Sequence, residues 1–155
     1  MKDKNGWYSG YYQIVNKEKY IGTKPPMYRS SWEARVCKFL DENVNVIRWG
    51  FEVITIPYKF DIDGRVHNYI TDFYAEIKDK QGKITKYILE IKPQKQTVKP
   101  IPPKINNGKA MKRYMYEARQ YVMNQNKWQA VTSYCNSSGI TFKILTESNI
   151  FKGGN

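Results

Sequence analysis

Between Val46 and Ile91 apolar and polar residues alternate with a period of two, and β-branched and aromatic side chains concentrate in the runs Phe51 to Phe60, Arg65 to Ile77 and Lys83 to Lys92. That period gives a pleated strand one apolar face and does not draw a stripe along a helix. Asp61-Ile62-Asp63-Gly64 and Lys78-Asp79-Lys80-Gln81-Gly82 separate the runs, each closing on a glycine suited to a turn with positive φ. Three antiparallel strands in a meander are expected.

Helical spacing flanks this stretch. Ser30 and Ser31 offer N-cap hydroxyls, and Trp32, Val36, Phe39 and Leu40 then recur on one face, which predicts a first helix. Glu33 falls one turn before Cys37, at the border of that stripe. Residues 93 to 108 hold four prolines and read as a long basic loop. Asn107 then caps a second helix to about Asn126, with Met111, Tyr114, Met115, Ala118, Tyr121 and Val122 as its apolar positions. A strand from Trp128 to Tyr134, a turn at Asn136-Ser137-Ser138-Gly139 and an edge strand from Ile140 to Thr146 complete the expected order. The fold class is α/β (α+β): a mixed central sheet covered by helices.

A chain of 155 residues is the size of one domain. That domain is placed at 30–147. Residues 1–29 read as an extended arm broken by Lys24-Pro25-Pro26, and 148–155 as a polar tail. Tyr8, Tyr11, Tyr12 and Tyr20 are expected to anchor the arm to the core, with base stacking as the alternative.

Lysine and arginine number 26 against 14 acids, for a formal charge of +12, which points to a polyanionic partner such as DNA. A ribosome-associated protein and an anionic membrane surface are the competing partners for such a charge. Yet no apolar run approaches the roughly 20 residues of a spanning helix, and Met-Lys-Asp-Lys-Asn does not begin a signal peptide. The expectation is an intracellular protein. Cys37 and Cys135 lie too far apart for a zinc knuckle or disulfide framework and are expected to be reduced and buried. The single histidine, His67, removes most Ser-His and Cys-His mechanisms and any histidine-rich metal site. Hydrolytic chemistry, if present, falls to carboxylates and lysines.

Asp72 stands between Ile70 and Tyr74 in the second run, where an aspartate is disfavoured by propensity and by desolvation. Glu90 and Lys92 are two residues apart in the third run, so the pleat points both to one face and sends Leu89 and Ile91 to the other. Asp72 and Glu90 each lie nine residues from Gln81, so an odd-length hairpin loop sets them opposite one another. Two carboxylates so placed repel unless a divalent cation lies between them, which suits Mg²⁺ with oxygen ligands. The alternative is a salt-bridge patch on a solvated sheet face.

Tyr69-Ile70-Thr71-Asp72-Phe73 and Tyr87-Ile88-Leu89-Glu90-Ile91-Lys92-Pro93 resemble the PD-(D/E)-x-K nuclease superfamily, with Thr71 in place of the usual proline. The resemblance covers residues 30 to about 146 and implies a restriction-endonuclease-like core. It implies that Asp72 and Glu90 bind Mg²⁺ (or Mn²⁺), that the Ile91 carbonyl completes the ligand set, that Lys92 is the catalytic lysine and that Glu33 is the first-helix acid. Within the superfamily the Ser-Ser-Trp-Glu, Thr-Asp-Phe and Glu-Ile-Lys-Pro segments are most similar to transposase endonuclease subunits and to head completion nucleases of T-even-type bacteriophages. The phage group implies DNA ends as substrate, head or portal proteins as partners, and a place in the host cytoplasm or the virion head.

Lys95, Lys99 and Lys104 in the loop, with Lys109, Lys112 and Arg113 on the second helix, are candidate phosphate contacts; a solvated charged face is the plain alternative. The expected function is a divalent-metal-dependent DNA endonuclease with little sequence specificity. A noncatalytic DNA-end-binding head protein and a transposase-type subunit are the other readings.

Overall fold

Residues 8–105 and 107–152 are described by a computed structural model. The alternating stretch forms five strands in place of the expected three: β3 (Val46–Phe51), β4 (Thr55–Phe60), β5 (Arg65–Ile70), β6 (Phe73–Lys78) and β7 (Ile84–Ile91). Two short pairing segments precede them in the arm, β1 (Gly10–Tyr11) and β2 (Met27–Tyr28). The meander is corrected. Glu52 takes a left-handed φ of 53° and ends β3, while the chain bends at Thr71-Asp72 between β5 and β6. β3 therefore pairs with β6, and β4 and β5 form a separate hairpin.

The main sheet runs β3-β6-β7-β8, where β8 spans Thr141–Leu145. Its first two pairings are antiparallel and β7 with β8 is parallel, so the sheet is mixed as expected. Parallel neighbours need a crossover, here helix α2 (Gly108–Ser138). The expected helix end near Asn126 and the strand from Trp128 to Tyr134 are both overturned. Trp128, Val131 and Cys135 repeat at helical spacing and are the buried contacts of the last turns. Gly139, with φ 66°, is the left-handed C-cap that stops the helix.

Helix α1 (Ser31–Glu42) covers one face of the sheet over Val36, Cys37, Leu40, Val46, Trp49, Phe73, Ala75 and Leu89. Phe39, read as part of the buried stripe, is 52% exposed; Cys37 and Asp41 take the inward positions instead. The other face carries a second cluster, in which the hairpin residues Ile56, Tyr58, Phe60 and Tyr69 meet Ile88, Val131 and Cys135. Both cysteines are free and buried, and burial pushes the Cys37 thiol up to about 12.

The arm lies on the α1 side. Tyr12 and Tyr20 set their rings edge-on to Trp49, and the Ile21 amide donates to the Trp49 carbonyl, which supports anchoring as the role of these tyrosines. Asp41 ties the arm down. Fully buried, it accepts from the Tyr12 hydroxyl and from the Val15 and Asn16 amides at 2.8–2.9 Å. The expected polar tail, 148–155, is helical as far as Lys152: Glu147–Lys152 form a short helix, α3, whose Ile150 packs against the core, and 153–155, like 1–7 of the arm, lie outside the described residues.

Candidate active site

The hairpin between β6 and β7 pairs Lys78 with Ile84 and Phe73 with Leu89. One step beyond that last rung the same register sets Asp72 across from Glu90. The odd loop from Asp79 to Lys83 fixes this: the Asp79 carboxylate accepts from the Gln81 and Lys83 amides, and Gly82 supplies φ 84°. Pleating then separates the faces. Phe73, Ala75 and Leu89 join the α1 cluster, whereas Tyr74 and Ile88 turn toward α2 and the hairpin. Glu90 and Lys92 share the parity of Ile88 and belong to that second face.

Asp72 is not within a strand. It occupies the bend, where its carbonyl accepts from Glu52 N–H at 2.9 Å and its Oδ2 accepts from Ile91 N–H at 2.8 Å. A strand residue directs its amide and carbonyl to the same side, so the Ile91 carbonyl also opens toward Asp72. The Glu90 side chain is almost fully enclosed, receives the Tyr69 hydroxyl on Oε2, and has Lys92 Nζ 3.5 Å from Oε1. Burial and then the charge of Glu90 raise the Asp72 carboxyl well above the usual range; the Ile91 amide and Lys92 oppose them.

Glu33 reaches the rim from α1. Ser30 caps the helix by accepting from the Glu33 amide at 3.1 Å, and the Glu33 carboxylate turns back to the Arg29 amide at 2.5 Å. This resembles a capping box displaced by one residue. Burial first raises the Glu33 carboxyl, and repulsion from Glu52 and Glu90 adds to it. Arg29 in turn pairs with Glu52 at 2.6 Å. Among the described residues no three His, Cys, Asp or Glu side chains converge closely enough to cage an ion by themselves. Mg²⁺ is commonly held by one or two carboxylates together with substrate phosphate, and the Asp72 and Glu90 pair has that oxygen-donor chemistry.

Two residues at the site were missed from sequence. Tyr69, at 5% exposure, lies on β5 and holds Glu90 across the gap between hairpin and sheet. Lys127 extends from α2 over the rings of Tyr69 and Tyr58, 5.2 and 5.8 Å from their centroids. Ending the helix at Asn126 left Lys127 outside any element. The signal that finds it is the Trp128, Val131, Cys135 spacing, which extends the helix through it.

The candidate phosphate contacts Lys95, Lys99, Lys104, Lys109, Lys112 and Arg113 are all exposed. Lys95 lies in a single 3-10 turn (Gln94–Gln96) just after Lys92, and the Gln94 amide is held by the Glu147 carboxylate. Lys112 stands 15 residues up α2 from Lys127, roughly 22 Å along the axis. Arg113 spends part of its charge on Glu117 at 3.0 Å. No helix among the described residues is long and apolar enough to cross a membrane.

Residues 43–147 match the family model described as TnsA-like endonuclease N terminal. The chain is also 38% identical over 151 residues to the head completion nuclease of Enterobacteria phage T4, a match spanning 94% of this chain and 98% of that protein.

Proposed function

The chain belongs to the TnsA-like endonuclease family, of the PD-(D/E)-x-K nuclease type, and from that premise we propose that it hydrolyses DNA phosphodiester bonds with a divalent cation held between Asp72 and Glu90. The observation that carries this reading is the β6–β7 register, which continued one step past Phe73 and Leu89 brings Asp72 level with Glu90, with Lys92 Nζ 3.5 Å from Glu90. A bound Mg²⁺ or Mn²⁺ supplies Lewis-acid polarisation of the phosphate and acidifies a water. Asp72, Glu90 and the Ile91 carbonyl would hold the cation, with the Glu33 carboxylate at the rim adding negative charge. Lys92 positions the attacking water and offsets charge gathering on the phosphate. The water oxygen bonds to phosphorus and gives up one proton to solvent, while the bond to the bridging oxygen on the far side breaks and that leaving oxygen takes one proton from solvent. Tyr69 fixes the orientation of Glu90.

The exposed lysines Lys95, Lys99 and Lys104 contact backbone phosphates and make binding salt-sensitive with little base preference. The near end-to-end match to a phage head completion nuclease extends the proposal to DNA ends during head assembly, with head or portal proteins as partners. Linear, nicked and supercoiled DNA incubated with Mg²⁺, Mn²⁺ or EDTA test the reading. Cutting with either cation, absent in EDTA and in a folded Asp72→Ala variant, is the expected result; salt-sensitive binding without cutting under any cation favours a noncatalytic DNA-end binder.

The carboxylate pair also predicts a pH effect. Asp72 holds its proton more tightly folded than unfolded, so its contribution to stability is fully present below the unfolded value of about 3.9 and is lost as pH rises through the folded value. In EDTA, Asp72→Asn is expected to melt on the order of a few degrees above the native chain at pH 7–8, with the gap closing toward pH 4. Mg²⁺ is expected to raise the melting temperature of the native chain only. Melting curves across pH that place Asp72→Asn below the native chain throughout contradict this.

A further inference from the structure

Lys127 brings an ammonium into a half-buried position where, among the described residues, no carboxylate lies within ion-pair distance. Its contacts are the faces of Tyr69 and Tyr58. Such faces attract a cation and seat its methylene stem, but they leave its three N–H donors without an acceptor. Both rings are nearly inaccessible, at 5% exposure each, so the aromatic seat is rigid. The ring under Lys127 is that of Tyr69, whose hydroxyl donates to Glu90, so the ammonium sits on the residue that abuts the carboxylate pair; burial first and then Lys92 lower its proton affinity. Two lysines near one carboxylate pair repel in the free protein, and an entering anion relieves that repulsion.

We infer that Lys127 is a second active-site lysine that donates to a nonbridging oxygen of the phosphodiester being cut, approaching from α2 as Lys92 does from β7. The inference rests on the hydrolytic reading of the site. The ligand class is a phosphodiester of any base sequence, because an ammonium on an aromatic seat reads charge and no base edge. Substitutions at Lys109 or Lys112, far up the same helix, are expected to weaken binding without a comparable change in kcat.

Lys127→Met keeps the stem on the two rings and removes the charge; Lys127→Arg keeps the charge. Cleavage by Lys127→Met is expected to fall 10- to 100-fold in kcat, with a melting temperature equal to or above the native one and partial recovery in Lys127→Arg. Binding to a short duplex is measured separately in an Asp72→Asn background without divalent cations, across a salt series. There Lys127→Met is expected to reduce the slope of log K against log salt by about one. An unchanged slope overturns the contact, as does a loss of kcat that tracks a lowered melting temperature. Failure of the native chain to cut under any cation defeats the hydrolytic reading alone, because the slope still decides whether Lys127 meets a phosphate.

Discussion

Lys92→Ala is expected to lower DNA cleavage on the order of 10³-fold, equivalent to about 4 kcal/mol of transition-state stabilisation, while duplex binding changes by less than tenfold. The asymmetry follows from position. Lys92 is only about a quarter exposed and directs Nζ to within 3.5 Å of Glu90 at the strand end, whereas the exposed loop cations are free to hold the duplex. Removing it also withdraws a counter-charge from an enclosed carboxylate, which costs stability until a cation takes its place. Single-turnover rates therefore belong beside melting curves with and without Mg²⁺, and Lys92→Gln serves as the better-packed control. Near-native cleavage by a folded Lys92→Ala variant is incompatible with the assigned role.

Asp41→Ala is expected to destabilise the chain by about 3 kcal/mol and to release the arm, read as a lower urea midpoint and lost protection of the Val15 and Asn16 amides. The carboxylate is the acceptor for both amides and for the Tyr12 hydroxyl, and a buried donor left without a partner costs about 1–3 kcal/mol. Its proton affinity carries the opposite sign to that of Asp72. Burial pushes the Asp41 carboxyl up, but the amide hydrogens, Tyr12 and Lys19 outweigh it and hold the group below the ordinary range. Its contribution is therefore present above the unfolded value of about 3.9 and lost as pH falls through the folded one. A midpoint that hardly moves in Asp41→Ala means that the aromatic contacts to Trp49 hold the arm by themselves.

Much of the site's geometry was legible because it is local. Gly64 and Gly82 adopt the positive φ that their turns required, 69° and 84°, and counting residues about Gln81 set Asp72 opposite Glu90. The breaks in the strand runs were not legible. At Glu52 nothing in the residue type announces a left-handed backbone, and the bend at Thr71-Asp72 is held from a distance: the Thr71 amide and hydroxyl both donate to the Ile54 carbonyl. The end of α2 was misjudged because Trp128, Val131, Thr132 and Tyr134 are all strand formers, and propensity yielded to burial against the hairpin. That single error concealed Lys127. Glu33 was placed on the right helix, but its bond to the Arg29 amide depends on how the arm enters α1.

The detour between β3 and β6 leaves and returns through one rung, Phe51 facing Phe73. Everything from Glu52 to Thr71 is thus a cassette spliced into a ladder that closes without it. Loop-closure entropy grows only slowly with length, so descendants of such a chain are free to lengthen or shorten this cassette at its β4–β5 turn while Tyr69 and the strand ends that carry Asp72 and Glu90 stay in register. The cassette carries Tyr58 and Tyr69, the aromatic seat beside the carboxylates. Divergence can therefore accumulate at the tip of the insert without redrawing the sheet that carries Asp72, Glu90 and Lys92.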